Sequence, residues 1–399
     1  MLLQELKYII QSSHINFLYG SGMSKPYLAT LGKIEEYLTR LDKDLDASDK
    51  AYNVTRASLY KTYCEGVIIP NSVFPIGNPK YEATAKAYRD FFHIWNDLIN
   101  KRSSLLLEKQ VNLFTTNIDL LVEKTLSNSR LELNDGFRGT LSPIFSESNF
   151  QISLSKSSMQ YHKAAEIPVF NLMKVHGSVN WENIDGHICS NLSRIGDIKK
   201  LLDTIPSDQF VSLQENDADG HSVDKSYEKI IADADKINLV NENVFEKFLN
   251  EYDKIVMINP TKEKFKTSVM DYHFYELMRI FSNALERENS VLFVMGFSYA
   301  DEHLAEITSR AAATNPTLQV LIFAYSDDDK DNYLKNLGID SKGINNNIKI
   351  ITPSVFKEIN KSSDKNEEFQ KWCESIDHFD LQAINSVFEK IGLGIHSSI

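Results

Sequence analysis

Six apolar runs recur along the chain, and each ends in a short polar tag on its C-terminal side. INFLY (15–19) runs into Gly20-Ser21-Gly22-Met23-Ser24, VNLF (111–114) into Thr115-Thr116-Asn117-Ile118-Asp119, and FNLMKV (170–175) into His176-Gly177. IVMI (255–258) leads to Asn259-Pro260-Thr261, VLFVM (291–295) to Gly296-Phe297-Ser298, and LQVLIFA (318–324) to Tyr325-Ser326-Asp327. Continuous apolar runs of this length predict strands buried on both faces of a parallel sheet. Helical spacing of apolar residues covers 27–45, 51–64, 81–101, 118–127, 267–288, 301–313 and 328–337, and a further strand is predicted at 348–351. Alternating strands and helices predict an α/β fold: a doubly wound parallel Rossmann-like sheet with a second, smaller helical lobe.

The alternation breaks at 181–253, which is rich in Asp, Glu and Lys, has no convincing buried strand and ends in a helix at 244–252. This predicts a sheet domain from 1–180 and 254–352, a mostly helical insertion at 181–253, and a C-terminal helical tail at 353–399. The helices at 27–64 and 81–101 are expected to join the insertion in the smaller lobe. Residues 128–165 read as an irregular connection.

In open parallel sheets the ligand lies outside the carboxyl ends of the strands, so six tags at that end describe one ligand site. In the glycine tag, small residues let backbone approach a diphosphate, and a following helix N-terminus would offer unpaired N–H groups. The alternative is a tight turn with Ser24 as a helix cap. Asn117 offers a donor and an acceptor, and Asp119 an acceptor, to an amide or ribose hydroxyl; both residue types also cap helices. His176, at a strand end beside Gly177, is placed to exchange protons near neutral pH. Ser298 is placed to reach a phosphate or ribose, Asn259 an adenosine ribose, and Asp301 to cap the next helix.

Composition narrows the partners. With 43 Lys and Arg against 55 Asp and Glu, the net charge is -12, so no general attraction to nucleic acid or anionic membrane is expected. No apolar segment approaches the ~20 residues of a membrane span, and the N-terminus lacks a cleavable leader pattern; a cytoplasmic location is expected. Cys64, Cys189 and Cys373 are widely spaced, which argues against a disulfide framework or a zinc site.

The order of motifs resembles the NAD-binding core of the sirtuin family. The matching residues are Gly20, Gly22 and Ser24; Thr115, Asn117, Ile118 and Asp119; Val175, His176 and Gly177; Gly296 and Ser298. The resemblance implies that NAD is bound as a substrate, with Asn117 and His176 catalytic and no metal. It places Gly20, Ser21, Gly22, Met23, Ser24, Thr116, Asp119, Asn259, Gly296 and Ser298 in contact with NAD. The zinc-binding cysteine pairs and the Pro-Asp-Phe-Arg segment of the deacylases are missing. The stretch Phe297-Ser298-Tyr299-Ala300-Asp301 and the preceding MDYHFYELMRIFSNAL look instead like the sirtuin-like proteins of bacterial antiphage defence. That implies an NAD glycohydrolase releasing nicotinamide and ADP-ribose, often acting with a HerA-type ATPase. The other readings are an ADP-ribosyl transferase or deacylase, and a module that senses NAD or ADP-ribose without turnover. An NAD-destroying enzyme must be gated, and the chain shows no Walker loop or sensing domain, so a homo-oligomer with a separate partner is expected.

Overall fold

The computed structural model describes residues 2–30, 33–102, 107–127, 129–160, 163–217, 221–239, 242–258, 272–339, 346–361 and 366–393. Its centre is a seven-stranded parallel sheet of β1 (His14–Tyr19), β2 (Gln110–Thr115), β3 (Glu132–Asn134), β4 (Val169–Lys174), β5 (Ser290–Met295), β6 (Gln319–Phe323) and β7 (Ile348–Ile351). The spatial order is β7-β6-β5-β1-β2-β4-β3, with every pair parallel. The chain leaves β1 toward β2 on one side and later fills the other side from β5 outward. The switch point of this doubly wound sheet therefore lies between β1 and β5.

Successive side chains of each strand go to opposite faces. Phe17, Leu113, Phe170, Phe293 and Leu321 share one core with the helices Leu3–Ser12, Pro79–Asn100 and Leu381–Leu393. Leu18, Phe114, Met173, Leu292 and Ile322 share the other with Tyr272–Glu286 and Glu302–Thr314. One polar line crosses the sheet through this apolar material. Asn112 donates to Asn16 at 2.9 Å, Asn171 to Asn112 at 3.0 Å, and Asn134 to Asn171 at 3.0 Å. These residues stand opposite one another in the strand register. A one-residue slip would leave the whole ladder unpaired, so it pins the register.

The smaller lobe has its own apolar cluster, drawn from the helices Ile34–Asp44, Lys50–Tyr63, Ser193–Thr204, Tyr227–Lys236 and Glu242–Tyr252. Several sequence expectations are corrected here. The helix Pro79–Asn100 belongs to the main sheet, where Trp95 meets Phe17 edge-on at 4.8 Å and Phe388 likewise at 4.8 Å. The run at 255–258 forms no strand of the parallel sheet. Its Ile255–Met257 pairs antiparallel with Gly177–Ile184 in a separate five-stranded sheet. That sheet also takes in His187–Ser190 of the insertion, so strand stands there beside the helices. The helix expected from residue 27 begins at Ile34, after a turn at 25–27. Part of the stretch at 128–165 is not irregular but supplies the edge strand β3.

Candidate active site

Tags from four neighbouring strands interlock at the carboxyl edge. Gly20 donates its N–H to Met295 O at 3.3 Å and Gly22 to Gly296 O at 3.0 Å. Gly296 has φ +56, and a Cβ on it would lie 2.7 Å from Met23 N. The glycines of this pair thus serve close packing of the two tags against each other. Thr115 Oγ1 donates to Tyr19 O at 3.0 Å and accepts from Asn117 N at 2.9 Å. Val175 N donates to Thr115 O, and Val179 N to Ile118 O.

The expected phosphate cradle differs in detail. Residues Ser21–Ser24 form a single 3-10 turn, with no long helix following it directly. The N–H groups of Gly22, Met23 and Lys25 are already given to Gly296, Gly20 and Gly22 carbonyls, so the tag is not a set of unpaired donors. Nor is Ser24 a helix cap. Its buried Oγ donates to Asp119 Oδ2 at 2.6 Å and accepts from Asn117 Nδ2 at 3.0 Å. With its only proton given to the carboxylate, it must also accept from Tyr88 Oη, 3.4 Å away. Burial first, and then the nearby charge of Asp119, raise the Tyr88 phenol well above its usual range, so it stays a neutral donor.

Asn117 has both amide hydrogens committed, one to Gly20 O at 3.1 Å and one to Ser24 Oγ. The Gly20 carbonyl can only accept, which fixes the amide's orientation and leaves Asn117 Oδ1 for a ligand. Asp119 combines two roles: Oδ2 takes the Ser24 proton while Oδ1 caps Leu121 N at 3.1 Å. Behind it, the buried Lys174 ammonium holds Asp119 O, Ser178 Oγ at 3.0 Å and Glu123 Oε1 at 2.6 Å. Burial raises the Glu123 carboxyl above its ordinary value, and Lys174 opposes that rise.

His176 stands two residues past the end of β4, and its Nε2 lies 3.0 Å from Asp301 Oδ2. The other oxygen of Asp301 accepts from His303 N and Leu304 N at 3.1 Å, capping the helix Glu302–Thr314. The neighbouring Gly177 keeps open a space that is not beside the imidazole. Its φ is +78 and a Cβ would sit 2.2 Å from Val256 O, so it clears the strand Ile255–Met257.

These groups open on one cavity of about 1050 Å³, at the upper end of the roughly 300–1,000 Å³ of ligand pockets. Ser21, Gly22, Met23, Ser24, Thr116, Asn117, Asp119, His176, Gly296 and Ser298 all line it. Gly20 does not; it is buried behind the tag. Asn259 lies outside the described residues. The lining residues that sequence reasoning had not assigned to the site include Tyr63, Lys25, Asp301 and Phe379, while Tyr325 of the sixth tag lines it as well. Lys174, in the layer behind, was visible as the one charged residue of its strand.

A cavity at the switch point of a doubly wound parallel sheet, rimmed by a glycine turn and convergent polar side chains, is where α/β proteins of this architecture bind their ligands. Residues 247–342, about a quarter of the chain, match the family model of the SIR2-like domain. The matched stretch holds Gly296, Ser298 and Asp301 and supports a sirtuin-like domain with a sirtuin-type, NAD-related function. Comparison with curated proteins finds no match. Among the described residues, no helix is long and apolar enough to cross a membrane, and no three His, Cys, Asp or Glu side chains gather as metal ligands.

Proposed function

We propose that this chain is an NAD glycohydrolase, cleaving NAD to nicotinamide and ADP-ribose. The observation that carries the reading is the convergence of Asn117, Asp119 and His176 on one cavity with the Gly22 and Gly296 tags. In the reaction the bond between ribose C1′ and the nicotinamide nitrogen breaks, and its electron pair leaves with neutral nicotinamide. Positive charge develops on the ribose ring, which the carboxylates of Asp119 and Asp301 at the cavity favour electrostatically. Water oxygen bonds to C1′ and releases a proton, for which His176 is the acceptor. Asn117 Oδ1 accepts from the attacking water or a ribose hydroxyl and holds it in line. Ser298, an exposed residue of the cavity lining, suits the adenosine half.

Purified protein incubated with NAD, together with its activating partner or in its oligomeric form, is expected to release nicotinamide, and His176→Ala and Asn117→Ala to abolish the release with the fold retained. No release in any assembly state refutes hydrolysis, and NAD binding without release favours a sensor. We further propose a role as an NAD-depleting effector in antiphage defence, as a homo-oligomer gated by a HerA-type ATPase. Light scattering on the isolated chain tests the first part; a monomer at micromolar concentration overturns it. Full NADase activity without the ATPase overturns the second.

A further inference from the structure

We propose that Asp301 is the positioning residue of His176, fixing its tautomer so that Nδ1 is the proton-accepting nitrogen. A carboxylate has no hydrogen to give, so the ring nitrogen 3.0 Å from Asp301 Oδ2 must carry the proton. In the neutral ring that makes Nε2 the N–H and leaves the lone pair on Nδ1. When Nδ1 takes a proton, the resulting imidazolium faces the same carboxylate, which stabilises it.

Both partners are held from outside the pair. The His176 carbonyl accepts from Ile258 N at 2.9 Å, and the next residue is wedged against Val256 O. Asp301 is fixed by two backbone N–H groups at the start of the 13-residue helix Glu302–Thr314, whose positive dipole end complements its charge. The two residues stand 125 positions apart in sequence on different elements, so the pairing is a property of the folded rim. A capping role alone needs only one carboxylate oxygen. The second oxygen is the one aimed at the imidazole.

The role in turnover rests on the hydrolysis reading, whereas the tautomer does not, and the test separates them. Asp301→Asn keeps the cap, because Asn Oδ1 can replace the capping oxygen. Its NH₂ then faces Nε2, which must accept, and the ring proton moves to Nδ1. The expected result for Asp301→Asn is a fall in kcat on the order of 10²–10⁴-fold, with KM and Tm near wild type, as for a wrong-tautomer histidine. In parallel, ¹⁵N spectra of histidine-labelled protein at about pH 8, where a typical imidazole is neutral, report the tautomer, with His176→Ala assigning the resonance. Wild type should show a protonated Nε2, and Asp301→Asn a protonated Nδ1. A protonated Nδ1 in wild type, or wild-type tautomer and turnover in the variant, overturns the proposal. If no variant or wild type releases nicotinamide, hydrolysis alone falls, and the ¹⁵N result still decides the tautomer.

Discussion

Ser24→Ala removes the hydroxyl that joins the glycine tag to the Asn117–Asp119 tag while leaving the backbone free to keep its turn. The lost bond to Asp119 Oδ2, at 2.6 Å, is charge-assisted and contributes about 1.5–3 kcal/mol. Asn117 Nδ2 and Tyr88 Oη lose an acceptor as well. Asn117 lines a cavity that water enters, so its orphaned N–H is partly rehydrated and adds less than a sealed donor would. A net loss of about 2–3 kcal/mol follows. Unfolding as one unit, a chain of 399 residues has an unfolding entropy of about 0.8 kcal/mol/K, so Tm should fall by about 3 °C.

The functional effect follows from what remains to hold Asn117: Thr115 Oγ1 on its backbone and Gly20 O on its amide. The side chain keeps one anchor in place of two, and its carbonyl is no longer aimed from both sides. A misplacement costing about 1.4–2.8 kcal/mol at the transition state lowers nicotinamide release about 10–100-fold, and the loss should fall on kcat. Thermal melts and initial rates across a range of NAD concentrations measure both effects. Unchanged Tm together with a raised KM and intact kcat would show that Ser24 only touches the ligand, and would refute the structural role.

Gly177→Ala should destabilise by at least about 2 kcal/mol in urea, since it adds left-handed strain of about 1–2 kcal/mol to a Cβ contact 2.2 Å from Val256 O. Gly186→Ala, at φ +83 with open space around it, should show the strain alone, and equal losses at both sites would contradict the wedge. Lys174→Met strips Glu123 of its cation and should cost about 3–5 kcal/mol near neutral pH. Because burial raises the folded-state value of Glu123 above its unfolded one, the protonated form favours folding. The deficit should therefore shrink as pH falls toward the carboxylate range, and one that stays constant in urea melts from about pH 8 to 5 argues against the pairing. Asn171→Leu should cost about 2–4 kcal/mol, because Asn112 Oδ1 and Asn134 Nδ2 lose the partners they reach at 3.0 Å; a neutral effect would show that the ladder does not pin the sheet.

The parallel sheet was legible because its strands are buried on both faces. The run at 291–295 in β5 is unbroken, those at 15–19 and 318–324 in β1 and β6 are interrupted only at Asn16 and Gln319, and helices at 3.6-residue spacing lie between the runs. The smaller antiparallel sheet was not. Apart from Gly177–Ile184 its strands are only two to four residues long, and Ile255–Met257 looked like one more buried run. The missed signal was Asp185-Gly186, where φ values of +52 and +83 and a bond from Gly186 N to Asn183 Oδ1 at 2.9 Å make a tight hairpin.

Helix capping and site chemistry had been weighed as competing explanations of the tags, and the structure shows why composition alone could not separate them. Asp119 and Asp301 each have two carboxylate oxygens. In each, one oxygen satisfies a helix N-terminus and the other holds a side chain of the cavity, Ser24 or His176. The cap fixes the carboxylate, and the fixed carboxylate orients the functional group. A rim built this way ties the placement of Asn117 and His176 to the starts of the helices Leu121–Ser127 and Glu302–Thr314. Substitutions that spare every lining side chain but unsettle those helix starts should therefore be felt at the cavity, as a loss of orientation ahead of any loss of fold.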